Sequence, residues 1–233
     1  MNMHFHSATI TSVTKESDDV YTVHIQPVDP YNFISGQYCA LRLPTDEALA
    51  PVHYFSIASS QETTGPIEFS IRTYGEWTSS LVKHAVGSSL EISDPMGSFV
   101  LPEAHVPLVY LVGGVGIVPV ISMLRHLSAQ SWEHPITLLY GNRTPETILY
   151  KSELEKLQQR LTSLKIIHIL SEKPLSDNEH TYRGFITESI LACEVDFSGN
   201  PLFYLNGPTI FLEKMKILLQ KFGISEKHII TES

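Results

Sequence analysis

Hydrophobic and polar positions follow two different patterns along the chain, and the change comes near Leu101 and Pro102. Before it, apolar positions sit in short runs, residues 9–13, 20–26, 37–43, 53–58, 67–72 and 89–92. Turn formers separate them, among them Asp18-Asp19, Ser35-Gly36, Thr63-Thr64-Gly65-Pro66 and Gly97. Short strands at this spacing predict an antiparallel β-barrel or sandwich, interrupted by a single helix over residues 78–85. After the change, strand-like runs at 108–112, 136–140, 164–170 and 202–206 alternate with helix-like segments at 119–127, 150–161, 186–192 and 209–222. Alternation of this kind predicts βα units around a parallel sheet. The run Val109-Tyr110-Leu111-Val112 has no polar alternation, as expected of a strand buried on both faces. Leu154, Leu157 and Leu161 form one stripe, so that helix is expected to cover the sheet with its charges in water. Residues 172–182 are polar enough to be a loop. The expectation is two domains: an N-terminal antiparallel β-barrel over residues 1–102, then an α/β parallel-sheet domain over residues 103–233.

One junction carries chemistry. The strand ending at Val112 meets Gly113, Gly114, Val115, Gly116, Ile117, Val118 and Pro119, and a helix follows. Residues without a Cβ let a backbone approach a pyrophosphate, and a helix start offers N–H donors and partial positive charge. Pro119, close to the first helical turn, costs no hydrogen bond there. The turn therefore reads as a dinucleotide site.

Composition narrows the partners. The formal net charge is -9, and no cluster of Lys and Arg would track a phosphate backbone, so nucleic acid is not expected to bind. No apolar run is long enough to cross a bilayer, and a cytoplasmic location is expected. Cys39 and Cys193 are too few for an iron–sulfur cluster. His4 and His6 could pair on a metal, but no third ligand is spaced to complete a site, so no metal centre is expected. No Gly-x-Ser-x-Gly elbow offers a hydrolase nucleophile.

Four separated segments line up with one pattern. His53-Tyr54-Phe55-Ser56-Ile57-Ala58-Ser59 is similar to an Arg-x-Tyr-Ser-x-x-Ser flavin motif, with His53 in the arginine position and Phe55 in the tyrosine position. Gly75-Glu76-Trp77-Thr78-Ser79-Ser80, after the strand carrying Arg72, resembles a glycine–hydroxyl phosphate turn. The Gly113 to Pro119 turn is similar to Gly-Gly-x-Gly-x-x-Pro, and Asn206-Gly207-Pro208 resembles Cys-Gly-Pro with asparagine replacing cysteine. Taken together, the chain resembles the ferredoxin–NADP reductase superfamily, in particular its flavin-reductase and oxygenase-reductase branch.

That resemblance implies a flavin-binding barrel followed by an NAD(P)-binding domain, with FAD, or alternatively FMN, as flavin and NADH or NADPH as co-substrate. It places Ser56 near the flavin N5 and Asn206 beside the nicotinamide, the two positions assigned catalytic roles. His53, Tyr54, Phe55, Arg72, Gly75, Trp77, Thr78 and Ser79 are expected at the flavin. Thr78 and Ser79 are natural helix N-caps, with free N–H groups beyond them. Gly113, Gly114, Gly116, Ile117, Pro119, Asn142, Arg143, Gly207 and Pro208 are expected at the dinucleotide. The arginine of the family clamps flavin phosphate with a fork of donors that a histidine cannot reproduce, so His53 predicts a weaker grip. Arg72 is a candidate replacement cation. Glu172 stands where relatives that read a 2′-phosphate tend to carry arginine, which favours NADH. The implied activity is hydride transfer from nicotinamide to flavin, then electron delivery to free flavin or to a separate iron–sulfur or oxygenase protein. The alternative is a non-catalytic or regulatory flavin/dinucleotide-binding protein.

Overall fold

The structure, a computed structural model, describes residues 3–44, 51–172 and 181–232. The chain divides into two compact units, Met1–Leu101 with Val118–His126, and Pro102–Ile117 with Leu127–Ser233.

In the first unit, β1 (Phe5–Lys15), β2 (Val20–Pro27), β3 (Tyr38–Arg42), β4 (Val52–Ser56), β5 (Ile67–Arg72) and β6 (Ser89–Ser93) form an antiparallel sheet in the order β4-β3-β6-β1-β2-β5. The period of two explains its core: Ile67, Phe69 and Ile71 turn inward while Glu68 and Arg72 between and after them are only half-buried. Ile10, Val23, Ile25 and Leu41 complete the interior from neighbouring strands. Just beyond β4, the Ala58 N–H donates to the Glu68 carbonyl of β5 at 2.8 Å, so the two edges of the sheet meet and it curls into a barrel.

Helix α1 (Glu76–Leu81) starts two residues before the position expected from sequence and stops four residues early. Gly75 is the N-cap, and past Leu81 the chain tightens into three-residue turns, Lys83 N–H to the Ser80 carbonyl and His84 N–H to that of Leu81. Helix α2 (Ile117–Ala129) buries Val118, Val120, Ile121, Met123 and Leu124. Within the first unit its Ser122 hydroxyl donates to the Ser59 carbonyl, and Arg125 Nη1 donates to that of Ala58 at 2.8 Å.

The second unit is a parallel sheet in the order β10-β9-β8-β7-β11-β12. Its strands are β7 (Leu108–Gly113), β8 (Ile136–Asn142), β9 (Leu164–Leu170), β10 (Thr181–Arg183), β11 (Leu202–Asn206) and β12 (Ile229–Thr231). Helices α4 (Glu188–Glu194) and α5 (Thr209–Lys221) cover one face through Leu191, Met215 and Leu219, packed on Val109, Leu139, Ile167 and Phe203. Helix α3 (Lys151–Arg160) buries Leu154 and Leu157, as its leucine stripe predicts. The chain runs outward from β7 through β8 and β9, then returns to place β11 on the other side of β7. That reversal lies between β7 and β11, and ligands of open parallel sheets bind at the carboxyl ends of strands at such a point. Two short edge strands were not legible in the sequence. Of the polar stretch expected to be a loop, residues 173–180 lie outside the described residues, and Thr181–Arg183 pairs with β9, with the Tyr182 hydroxyl donating to Glu194.

Candidate functional site: a flavin surface and a nucleotide crevice

On the first unit, β4 presents the flavin-motif residues on alternating faces. His53 and Phe55 share one face, and Trp77 from α1 stacks on both, with ring centroids 4.3 Å and 5.7 Å away. The histidine ring is thus one slab of an aromatic stack. Tyr54 lies on the opposite face, 55% exposed and edge-on to Tyr38 at 5.9 Å. Ser56 ends the strand directly across from Tyr38. Arg72 ends β5, and its Nε lies 3.1 Å from Asp19, so the candidate replacement cation already has a carboxylate partner.

The turn into α1 is arranged differently from the expected pattern of hydroxyl caps. Thr78 is 3% exposed, and its Oγ1 donates to the Gly75 carbonyl at 3.2 Å while accepting the Tyr74 and Gly75 N–H groups at 3.3 Å. Its hydroxyl holds the turn. The Ser79 N–H is spent on the Gly75 carbonyl, which leaves the N–H groups of Glu76, Trp77 and Thr78 outside the helical ladder. A side chain built at Gly75 would meet nothing within 4 Å, so this backbone lies open to a ligand.

In the second unit, Gly113 ends β7 and Gly114 enters a single 3-10 turn at a φ of 56°, a conformation glycine adopts without penalty. Gly116 has a different reason to be glycine. A Cβ there would lie 2.6 Å from the Asn206 carbonyl oxygen and 2.8 Å from the Gly207 nitrogen. Its missing side chain lets the turns after β7 and β11 touch, rather than only clearing space for a ligand. Gly207 has a φ of 154°, and Pro208 lies 3.5 Å from where a Cβ on Gly113 would stand. Tyr140 from β8 donates to the Gly114 carbonyl at 3.2 Å and steadies the turn from below. The Ile117 N–H bonds back to the Gly114 and Val115 carbonyls and its side chain is fully buried, so this residue contributes to the shape of the turn. Pro119 falls in the first turn of α2, where no N–H is needed.

Asn142 follows at the end of β8, one position beyond the Gly113–Gly141 pair. Its Nδ2 is buried with no hydrogen-bond partner among the described residues. A buried donor without an acceptor costs about 1–3 kcal/mol, and an oxygen-rich ligand bound at the end of β8 would remove that cost. Beside it, Ser171 donates its N–H to the Asn142 carbonyl and Glu172 donates to that of Arg143, so the ends of β8 and β9 present Arg143 and Glu172 as neighbours.

Asn206 donates from Nδ2 to Glu232 Oε2 at 2.8 Å. Sequence reasoning gave Glu232 no role, because 26 residues separate the pair; the parallel register of β11 and β12, with Leu205 opposite Thr231, brings them together. Burial pushes the Tyr110 and Tyr204 hydroxyls, adjacent in β7 and β11, well above the usual phenol range. His168 on β9 is driven the other way, mainly by burial and secondarily by Lys151.

The open backbone at Gly75 and the orphaned Asn142 donor fit phosphate-bearing cofactors, one in each unit. Fold and site together define a curled antiparallel sheet followed by a parallel sheet with a glycine turn of the dinucleotide-binding kind. Two family models match in tandem, an oxidoreductase FAD-binding domain over residues 7–101 and an oxidoreductase NAD-binding domain over residues 111–216. Both domains in this order are the arrangement that the resemblance to the ferredoxin–NADP reductase superfamily implies. Among curated relatives, the reductase component of propane 2-monooxygenase from Rhodococcus jostii (strain RHA1) is 31% identical over 229 residues, 94% of this chain and 61% of the relative. The toluate 1,2-dioxygenase electron transfer component of Pseudomonas putida is 26% identical over 97% of this chain and 67% of its own length. The chain thus spans about two thirds or less of these relatives. Among solved structures, the Malassezia yamatoensis flavohemoglobin with bound FAD and heme matches with a TM-score of 0.86 at 24% identity, over 98% of this chain and 59% of that one. A ferredoxin NADP+ reductase from Neisseria gonorrhoeae with bound FAD and NADP shares the fold at a TM-score of 0.83 and 17% identity, over 98% of each chain.

Proposed function

We propose that this chain is the NAD(P)H-oxidising reductase of an electron-transfer system, delivering electrons to a separate iron–sulfur or oxygenase protein or to free flavin. When bound, FAD supplies the chemistry, accepting a hydride from reduced nicotinamide and releasing electrons one at a time. The observation that carries this reading is the pair of turns locked together at Gly116 and Asn206, with an Asn142 donor that has no partner among the described residues at the end of β8, in a chain whose preceding half matches an FAD-binding family. Relatives named as reductase or electron transfer components of oxygenases support the direction of electron flow.

Within this reading, residues 1–102 hold the flavin and residues 103–233 the nicotinamide nucleotide, in keeping with the two family matches. The protein's own task is binding and alignment. The Gly75 turn offers its backbone N–H groups to flavin phosphate, while Trp77, His53 and Phe55 form a rigid aromatic wall behind β4. Ser56 and Tyr54, at the end of that strand, face the isoalloxazine. Gly113 and Gly114 cradle the pyrophosphate of the nicotinamide nucleotide, Asn142 donates to it, and Gly207-Pro208 forms the floor beside the nicotinamide. Asn206, held by Glu232, orients the nicotinamide amide. Arg143 and Glu172 flank the adenosine ribose, and the Glu172 carboxylate favours a free 2′-hydroxyl, hence NADH. With two cysteines in the sequence, any iron–sulfur acceptor lies outside it. The free thiols, one buried and one exposed, suit the reducing cytoplasm.

The test is anaerobic mixing of the purified chain with FAD and then NADH or NADPH. Loss of the visible flavin absorption, faster with NADH, is expected. An unchanged spectrum with both nucleotides overturns the reading, and thermal stabilisation by the nucleotides without turnover would make the chain a binding protein instead.

A further inference from the structure

The sequence offered His4 and His6 as a ligand pair without a third member. The fold supplies it. β1 and β6 run antiparallel with Phe5 opposite Ser93, and one step further the Asp94 N–H bonds to the His4 carbonyl, so Asp94 stands directly across from His4. His4 and His6 are two apart in extended chain, hence on one face, with ring centroids 4.6 Å apart and edge to face. The Asp94 carboxylate lies 2.6 Å from His6 Nε2 and 3.6 Å from His4 Nδ1. One ligand atom from each of the three falls within 4.8 Å of the others, the single such grouping of histidine, cysteine and carboxylate among the described residues.

We propose that His4, His6 and Asp94 bind a divalent transition-metal ion of the zinc type on the flavin-domain unit. Imidazole nitrogen and carboxylate oxygen suit Zn²⁺ and its neighbours Ni²⁺ and Cu²⁺, and they suit Mg²⁺ or Ca²⁺ poorly because those ions want oxygen alone. At the usual bond lengths of about 2.0–2.2 Å, ligand atoms of one tetrahedral ion stand about 3.3 Å apart. His4 and Asp94 are near that spacing already, and His6 needs only a small ring movement to open its short contact with Asp94.

The site is partly preformed. The His6 ring packs edge-on against Tyr31 at 5.9 Å, and the Tyr31 hydroxyl donates to the Ser93 carbonyl at 2.6 Å, the residue before Asp94. His4 and Asp94 are exposed, with side chains 69% and 59% accessible, so an ion can enter and keep a fourth ligand from solvent. Bound there, it clips the start of β1 to the end of β6. The role is structural and independent of the electron-transfer reading.

Calorimetric titration of the intact chain with Zn²⁺ tests the proposal. One equivalent should bind, Asp94→Asn and His4→Gln should each weaken it at least tenfold, and the double variant His4→Gln/His6→Gln should abolish it, with circular dichroism unchanged. With Cu²⁺, the paramagnetic resonance spectrum should carry splitting from two imidazole nitrogens, and from one in His4→Gln. No binding by the unaltered chain, or binding that survives all these substitutions at full strength, overturns the site.

Discussion

At the residue scale, two positions separate what a motif names from what its atoms do. Gly116 belongs to a glycine signature usually explained by the approach of a ligand, yet the atoms nearest to its missing Cβ are the backbone of Asn206 and Gly207. Backbone cannot rotate away as a side chain would. Gly116→Ala should therefore destabilise the second unit by about 1–3 kcal/mol, measured by urea unfolding without ligand, and should also raise the KM for NADH because the two turns are forced apart. His53 is the opposite case, a departure from the motif that the fold has put to use as one slab of the stack on Trp77. A guanidinium also stacks on indole and adds a fork of donors. His53→Arg should keep the wall and tighten FAD by about tenfold, or roughly 1.4 kcal/mol, read by equilibrium dialysis of the flavin.

At the element scale, β9 carries a cost that its sequence does not reveal. His168 sits between the apolar Ile167 and Ile169, and its Nδ1 is buried without a hydrogen-bond partner among the described residues. Burial, aided by Lys151, holds its pKa below the ordinary histidine value, so the folded chain binds this proton less readily than the unfolded chain. Stability from His168 is complete above the unfolded pKa of about 6.5 and falls as pH drops from there toward the lowered folded value, at a slope of up to about 1.4 kcal/mol per pH unit. Urea unfolding at pH 7.5 and 5.5 should show a loss on acidification that is smaller in His168→Gln. The helices were easier to anticipate than the edge strands. Leu154 and Leu157 mark the buried face of α3 through periodicity alone, whereas β10 and β12 are three-residue strands whose pairing depends on neighbours far along the chain.

At the scale of the whole molecule, the two units should answer to different ligands, because a ligand that binds only the native form protects the part it contacts. Hydrogen exchange followed by mass spectrometry should show FAD protecting peptides from β4 to α1 and NAD⁺ protecting peptides around residues 113–117, 142–143 and 206–208; protection of both regions by both ligands would contradict the division. The two kinds of sheet were legible in the sequence, since a period-two pattern and a strand–helix alternation are imposed by burial along each local segment, and so was the strand–glycine turn–helix at residues 108–127, whose glycines, helix start and Pro119 are contiguous; that Val118–His126 packs with the first unit was not. What depended on tertiary structure is every contact made across distance. Asp94 joins His4 and His6, Glu232 reaches Asn206, Asp19 pairs with Arg72, and Trp77 stacks on His53. Local patterning records which side of an element is buried; strand order and register decide which remote side chains share that side, and they are set by the packing of the whole sheet.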